Sequence, residues 1–152
     1  MELYFMGKAY PLVLEHYEKK RTKITFEEEQ FTLYYSVYDE TLFQTHIDRF
    51  YKKEAQAYIP PLVSHWADKM LLSPTNIRFR KTKRQWGSCS GKNVLSFNTM
   101  LMKLPKDVIQ YVIVHELAHI QHKHHQKTFW QLVENYLPDC KIQITELKNY
   151  TT

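Results

Sequence analysis

Residues 108–120 read VIQYVIVHELAHI, and the rest of the chain is best understood from this segment. Before His115 only Gln110 is strongly polar, so the segment predicts a helix that is apolar on every side and therefore buried. The same helix contains three titratable side chains, those of His115, Glu116 and His119. Because such groups are costly to bury without partners, the segment indicates that a metal ion provides the partner.

The spacing of the two histidines fits a single ion. Residues four apart lie on one face of a helix, so the imidazoles of His115 and His119 can reach the same metal. Glu116 is rotated by about 100° from His115 around the helix, which brings its carboxylate near the metal without making it a ligand. Zinc lowers the pKa of bound water toward about 7, and a carboxylate can take the proton. The pattern therefore predicts a Zn²⁺ site with Glu116 as the general base.

A third ligand must come from outside this pair, because a catalytic zinc usually has three protein ligands and one open position. His122 lies about 10 Å along the helix from His115, too far to share its ion while the helix is regular. His125 reaches the ion only if the chain turns between residues 120 and 123, and no glycine follows residue 91 to make that turn. Glu134, on the next predicted helix, and Cys89 are the other candidates.

Composition and charge restrict the class of protein. The chain has 152 residues, enough for one domain with one core. No run of 18 apolar residues is present, so we expect no membrane span and no membrane partner. Two cysteines, Cys89 and Cys140, fit a reducing compartment, which predicts a cytoplasmic protein. The net charge of +5 fits either a solvated basic surface or an anionic partner such as a nucleotide or nucleic acid.

Hydrophobic periodicity predicts a single α+β domain over residues 1–152. Its parts are antiparallel strands over 2–38, a helical region over 39–72 that Asp39 caps, a strand hairpin over 76–98 and the metal-site helices over 105–137. The pair Pro60-Pro61 predicts a kink or break in the long helical region. A second short helix is expected from Thr128 to Leu137. No pattern indicates the oligomeric state.

A basic run precedes the turn that contains Trp86. Residues 78–84 include five basic side chains in seven. If this run is extended, Arg78, Arg80 and Arg84 share one face. They form either a soluble edge strand protected by charge or a cleft wall that attracts anionic substrate, such as an acidic peptide, a nucleotide or nucleic acid. Arg80, Arg84 and Trp86 are therefore candidate substrate-binding residues.

Two sets of residues resemble a known family. The first is YVIVHELAH at 111–119 with His125 and Phe129-Trp130, and the second is RQWGSCS at 84–90 with Asn98, Leu101 and Pro105. Both resemble the YgjP-like zinc metallopeptidase domain, a relative of the SprT-like proteases. That family often has asparagine before the third histidine, where this chain has His124.

The resemblance implies a minimal zincin-like fold around a buried HExxH helix. It implies that His115, His119 and His125 bind zinc and that Glu116 is the general base, and it favours His125 over Glu134. It also implies that the Trp86 turn borders the active cleft.

Three functions are compatible with these residues. The leading one is peptide hydrolysis, with a peptide or protein as substrate and with Tyr111 or Arg84 as candidates for stabilising the oxyanion. The second keeps the metal and makes the chain a zinc-dependent pyrophosphatase acting on nucleoside triphosphates. The third is a nucleic-acid-binding module with a structural zinc. Glu116 beside the ligands favours catalysis over that third function.

Overall fold

Four short strands form the first sheet in the computed structural model, which describes residues 1–152. They are β1 (Glu2–Phe5), β2 (Lys8–His16), β3 (Lys23–Glu27) and β4 (Gln30–Tyr35), in the order β1-β2-β4-β3. The pairs β1–β2 and β3–β4 are antiparallel, as the sequence predicts, whereas β2 and β4 run parallel. Residues 17–22 carry the chain to the far edge of the sheet. The strand β4 then returns between its neighbours in the direction of β2.

Helix α1 (Glu40–Met70) is the longest element. Asp39 caps it as predicted, because its Oδ1 accepts a hydrogen bond from the Leu42 N–H at 3.2 Å. A single helix continues through Pro60-Pro61, so the predicted break is wrong. Ile59 and Val63 are buried on either side of the prolines. Their packing on one core offsets the backbone hydrogen bonds that two prolines remove.

Three strands form the second sheet, which lies beside the predicted metal helix. They are β5 (Asn76–Arg80), β6 (Gly87–Cys89) and β7 (Val94–Asn98), in the order β5-β7-β6. The antiparallel hairpin consists of β6 and β7, while β5 runs parallel to β7. The predicted hairpin over 76–98 is therefore wrong in its extent, because the hairpin covers only β6 and β7 and β5 is a third strand beside β7. A three-residue strand such as β6 is too short to give a period-two pattern in the sequence.

The basic run of residues 78–84 is extended only as far as Arg80, where β5 ends. Asn98, which is 2% exposed, holds the residues that follow Arg80 in a loop. Its Nδ2 donates to the carbonyl oxygens of Thr82 and Gln85, both at 2.9 Å. The expectation that Arg84 shares a strand face with Arg80 is therefore wrong, because a buried amide bends the chain between them.

Three helices complete the fold after a 3-10 turn at Thr99–Lys103. They are α2 (Lys106–Gln121), α3 (Lys127–Tyr136) and α4 (Cys140–Leu147). The metal helix α2 is buried along nearly its whole length, as predicted, and α3 agrees with its predicted range to within a residue. No pattern in the sequence predicts α4. None of the helices combines the length and the hydropathy that a membrane crossing requires.

Candidate metal centre

Three imidazoles converge at the end of α2. His115 and His119 lie one turn apart on that helix, and His125 lies in the loop between α2 and α3. The Nε2 atom of His125 is 3.3 Å from that of His115 and 3.1 Å from that of His119. The ligand atoms of all three residues lie within 4.8 Å of one another. The structure thus brings together the three residues that the sequence analysis selected as metal ligands.

The separation of these nitrogen atoms fits a tetrahedral zinc ion. With Zn–N bonds of about 2.0–2.1 Å, two nitrogen ligands on such an ion lie about 3.3–3.4 Å apart. The observed distances of 3.1 and 3.3 Å agree with that requirement to within a few tenths of an ångström. Imidazole nitrogens placed this close can share one cation when each of them presents its lone pair.

The chain leaves α2 without a glycine. His122 ends the helix with extended backbone angles, φ −128° and ψ 105°. Its N–H still donates to the Ala118 carbonyl at 3.0 Å. Any residue can adopt an extended backbone conformation. The turn that brings His125 back therefore needs no residue with a positive φ angle. The absence of a glycine in this segment therefore does not keep His125 away from the other two imidazoles.

Hydrogen bonds to the opposite ring nitrogens orient two of the imidazoles. His119 Nδ1 lies 2.8 Å from the His122 carbonyl oxygen, which only accepts, so Nδ1 carries the proton and Nε2 is free for a metal. His115 Nδ1 lies 3.0 Å from the Tyr111 hydroxyl, and this hydrogen bond orients the ring with its Nε2 toward the other imidazoles. Tyr111 therefore lies behind His115. Its candidate role in stabilising an oxyanion stays a prediction.

Aromatic residues of α3 enclose the three imidazoles. The ring of Phe129, which is fully buried, stacks on His119 with centroids 4.4 Å apart. Trp130 Nε1 donates to the His125 carbonyl at 3.1 Å and holds the loop against the helix. The Phe129-Trp130 pair noted in the sequence thus shapes the pocket that receives His125.

Burial favours the neutral form of the two helix imidazoles, His115 and His119. It lowers the pKa of His115 to about 3, with further lowering from the neighbouring His119 and His125. Burial also lowers the pKa of His119. Metal ligation requires the neutral form of imidazole, so the environment favours the ligand state.

Glu116 lies on the neighbouring face of α2 and lines the same cleft. It is 6% exposed, and burial raises its pKa to about 8. The backbone of Gly87, in β6, packs directly against it. A Cβ atom added at Gly87 would lie 2.9 Å from Glu116 Cγ and 3.2 Å from Oε2. The position of the carboxylate therefore depends on the absence of a side chain at residue 87.

Replacing Gly87 with alanine should reduce catalytic activity and leave metal content nearly unchanged. The new methyl group would displace the Glu116 carboxylate, because its three nearest atoms all belong to Glu116 and none to an imidazole. A displacement of this kind typically reduces turnover by about 100-fold. The matched control is Gly91→Ala, because a Cβ at Gly91 meets no atom within 4 Å. Equal turnover by the two variants would contradict this account.

The cleft beside the imidazoles has a volume of about 420 Å³. One wall is β6, the edge strand of the second sheet. The hydrogen bonds from Asn98 N to Trp86 O and from Ser90 N to Val94 O show which residues of the hairpin face β7. By antiparallel alternation, the backbone groups of Gly87 and Cys89 point the other way, toward the open edge.

The remaining candidate ligands lie outside the cluster. Glu134 is exposed on α3 and makes no hydrogen bond to the imidazoles. His124 Nδ1 accepts from the Gln126 N–H at 3.0 Å, the bond two residues ahead that an asparagine side chain makes in a turn. Cys89 borders the cleft, where its Sγ contacts Lys123 Nζ at 3.5 Å.

The predicted substrate-binding residues occupy different places. Trp86 is half-buried and lines a recess of about 190 Å³ beside His115 and Glu116, together with Leu147 of α4. Arg80 lies on the opposite face of the second sheet from α2 and lines a separate depression. Arg84 is exposed in the loop and lines neither the cleft nor that depression.

Sequence reasoning missed two contributors to the site. Gly87 is one of only three glycines in the chain, and glycine scarcity is a signal that could have identified a close backbone contact. Lys123 crosses the cleft from the α2–α3 loop, and its Nζ donates to the Ser90 carbonyl at 3.1 Å and to Asn93 Oδ1. No local sequence pattern predicts that contact, because its partners are 30 or more residues apart in the chain.

Comparisons with known proteins identify the family of the chain and support its fold. A family model described as "YgjP-like, metallopeptidase domain" matches residues 1–150. No curated protein matches the chain. The metallopeptidase zymogen jannalysin of Methanocaldococcus jannaschii is 22% identical with a TM-score of 0.54, and the match covers 60% of this chain and 94% of that chain. The metallopeptidase zymogen abylysin of Pyrococcus abyssi is 26% identical with a TM-score of 0.45, over 49% of this chain and 74% of that chain. The match to jannalysin confirms the α+β fold.

Proposed function

The chain belongs to the family of YgjP-like metallopeptidase domains, and on that premise we propose that it hydrolyses peptide bonds with a zinc ion held by His115, His119 and His125. Membership over residues 1–150 makes the protein a metal-dependent hydrolase. The zinc proposal is carried by one observation, the convergence of three Nε2 atoms within 4.8 Å. Three imidazoles with a fourth position open are the donor set of a catalytic zinc.

Glu116 is the general base in this proposal. Zinc, when bound, supplies a Lewis acid that acidifies water and polarises the scissile carbonyl. The Glu116 carboxylate accepts the proton of the attacking water and passes it to the leaving amine. Its close approach to Gly87 limits the positions of the carboxylate, which lines the same cleft as the imidazoles. The Nδ1 atoms of His115 and His119 are hydrogen-bonded to the Tyr111 hydroxyl and the His122 carbonyl, which leaves both Nε2 atoms for the metal.

The open edge of β6 is the proposed binding site for substrate backbone. Gly87 and Cys89 direct their N–H and C=O groups toward the cleft, where an extended peptide can pair with them as an added strand. Such pairing holds the substrate backbone alongside Glu116, since Gly87 contacts both. The recess lined by Trp86 and Leu147 is then available to a substrate side chain that points toward α2.

We also propose a cytoplasmic location. Cys89 and Cys140 are both free thiols, and Cys140 is buried in the core. Secreted domains of this size commonly use cysteines in disulfides, whereas free cysteines are typical of reducing compartments.

Metal removal and return test the proposed function. Protein purified without chelator should contain about one zinc per chain and cleave casein or an unstructured peptide. Dialysis against a chelator should abolish cleavage, and one equivalent of Zn²⁺ should restore it. Nucleoside triphosphates are tested in parallel, because release of pyrophosphate without peptide cleavage would contradict the proposal. Full peptide cleavage by metal-free protein would contradict it equally.

A further inference from the structure

A second concavity adjoins the cleft on the face of the second sheet that points away from α2. Its volume is about 570 Å³, larger than that of the cleft. We call it the basic depression and define it by Arg78, Arg80, Lys92, Ser88 and Ser96, all of which line it. The proposed catalytic machinery does not use these side chains.

The basic depression has positive charge without counter-charge. Three of its nine lining residues are cations and none is acidic. Arg78, Arg80 and Lys92 form no ion pair; the one salt bridge of the molecule joins Lys81 and Asp48. Unpaired cations around a concavity attract an anionic group. The attraction is stronger there than on a flat surface, because the walls of the concavity exclude part of the water that would screen it.

The register of the strands explains the shape of the basic depression. Arg78 pairs with Ser96, and Ser96 pairs with Ser88, so the three form one row across the sheet. The two positions between the arginine and the open edge of β6 are therefore small hydroxyl residues. A guanidinium group on β5 can lean over them toward the edge, and a side chain beyond the edge can lean back.

A substrate strand on the edge of β6 would direct every second side chain into this space. Side chains of paired residues lie on the same face of a sheet. Ser88 pairs with Ser96 on the face opposite to the buried Leu95 and Phe97, so the substrate residue paired with Ser88 faces the basic depression too. The substrate residues on either side of it would pair with Gly87 and Cys89, and their side chains would point toward α2. Adjacent strands are about 4.8 Å apart, which puts the substrate strand roughly 14 Å from β5. A long acidic side chain and an arginine can together bridge that distance.

We propose that the basic depression is a specificity site that selects peptides with glutamate at the position paired with Ser88. The inference rests on the proposed peptidase function and names the substrate class of that same cleft. An acidic peptide fits better than a nucleic acid because the cations are gathered in one depression beside a strand edge. They do not continue as a stripe along the cleft, where Lys123 is the single cation and its Nζ is already bonded to Ser90 and Asn93.

Peptide binding tests the proposal independently of turnover. The protein is the zinc-loaded Glu116→Gln variant, which should not cleave the probe. The probes are fluorescein-labelled ten-residue peptides of alanine and threonine with Glu, Gln or Lys at one scanned position, and binding is measured by anisotropy. One position should prefer Glu over Gln by about fivefold, the strength of partly exposed ion pairs. The preference should weaken as salt is raised.

Two further variants assign the preference to the arginines. Adding Arg78→Ser and Arg80→Ser should abolish it, and adding Arg78→Glu and Arg80→Glu should change it to Lys. Removing two guanidinium groups elsewhere, with Arg21→Ser and Arg49→Ser, is the matched control and should leave it intact. Both control residues are exposed and lie outside the second sheet.

Each outcome separates this proposal from the function on which it rests. Equal binding of the Glu, Gln and Lys peptides at every position overturns the specificity site, even when casein is cleaved in a zinc-dependent way. Selective binding of glutamate without hydrolysis of any peptide by the parent overturns the peptidase function and leaves the site. Tight binding of a twenty-nucleotide single-stranded DNA that depends on Arg78 and Arg80, with no peptide preference, assigns the depression to nucleic acid and overturns the proposal.

Discussion

Replacing His125 with alanine is expected to lower zinc affinity by roughly two to three orders of magnitude. Zinc bound by four ligands gains about 10–16 kcal/mol in total, so one ligand accounts for several kcal/mol. His125 is the ligand that lies in a loop, and its Nε2 is within 3.3 Å of both other imidazoles. Competition with a chromogenic chelator measures the dissociation constant, and peptide cleavage should fall with zinc occupancy.

The chain provides matched controls for this result. His122→Ala and His124→Ala remove imidazoles from the same loop, and neither side chain belongs to the cluster of ligand atoms. Both variants should bind zinc nearly as tightly as the parent. If His125→Ala retains full affinity while Glu134→Ala loses it, the third ligand is the glutamate and the histidine assignment fails.

The change of Glu116 to glutamine should remove nearly all peptide hydrolysis while zinc stays bound. Glutamine has almost the same shape and fits against Gly87, but it cannot accept the proton of the attacking water. General base catalysis of this kind contributes about 10²–10⁴-fold, so kcat should fall by about that factor. Metal content and the thermal midpoint should match those of the parent.

Glu15→Gln, an exposed change in the first sheet, is the control for this loss. It makes the same chemical substitution far from the three imidazoles and should keep full activity. Substantial turnover by Glu116→Gln would assign the base to another group. Loss of zinc from that variant would instead indicate that Glu116 holds the metal.

The features that the sequence predicts well depend on local periodicity. Helix α2 is apolar on every side over two turns before His115, and the four-residue spacing of His115 and His119 fixes their common face. His125 required additional information, because the same residues also allowed Glu134. Once the chain turns at His122 in an extended conformation, the geometry no longer needs the glycine whose absence complicated the prediction.

The features that the sequence did not predict depend on contacts between distant residues. Strand order is one, because nothing in β4 or β7 alone says that each inserts between two earlier strands. The course of the basic run is another, since Asn98 reaches back to Thr82 and bends the chain before Arg84. The strand β6 is a third, because three residues give no periodic signal and only their pairing with β7 defines them.

The positions of the proposed ligands along the chain have a consequence for how the protein responds to loss of its metal. All three lie between His115 and His125, so the ion would close one short loop and cross-link no distant parts of the fold. Closing so short a loop changes the entropy of the unfolded chain only slightly. The hydrophobic core of 29 buried residues, meanwhile, draws on both sheets and all four helices, so most of it lies outside this loop. We therefore expect the metal-free protein to persist as a folded, dormant form that zinc supply alone can switch on, without a chaperone or a cycle of refolding.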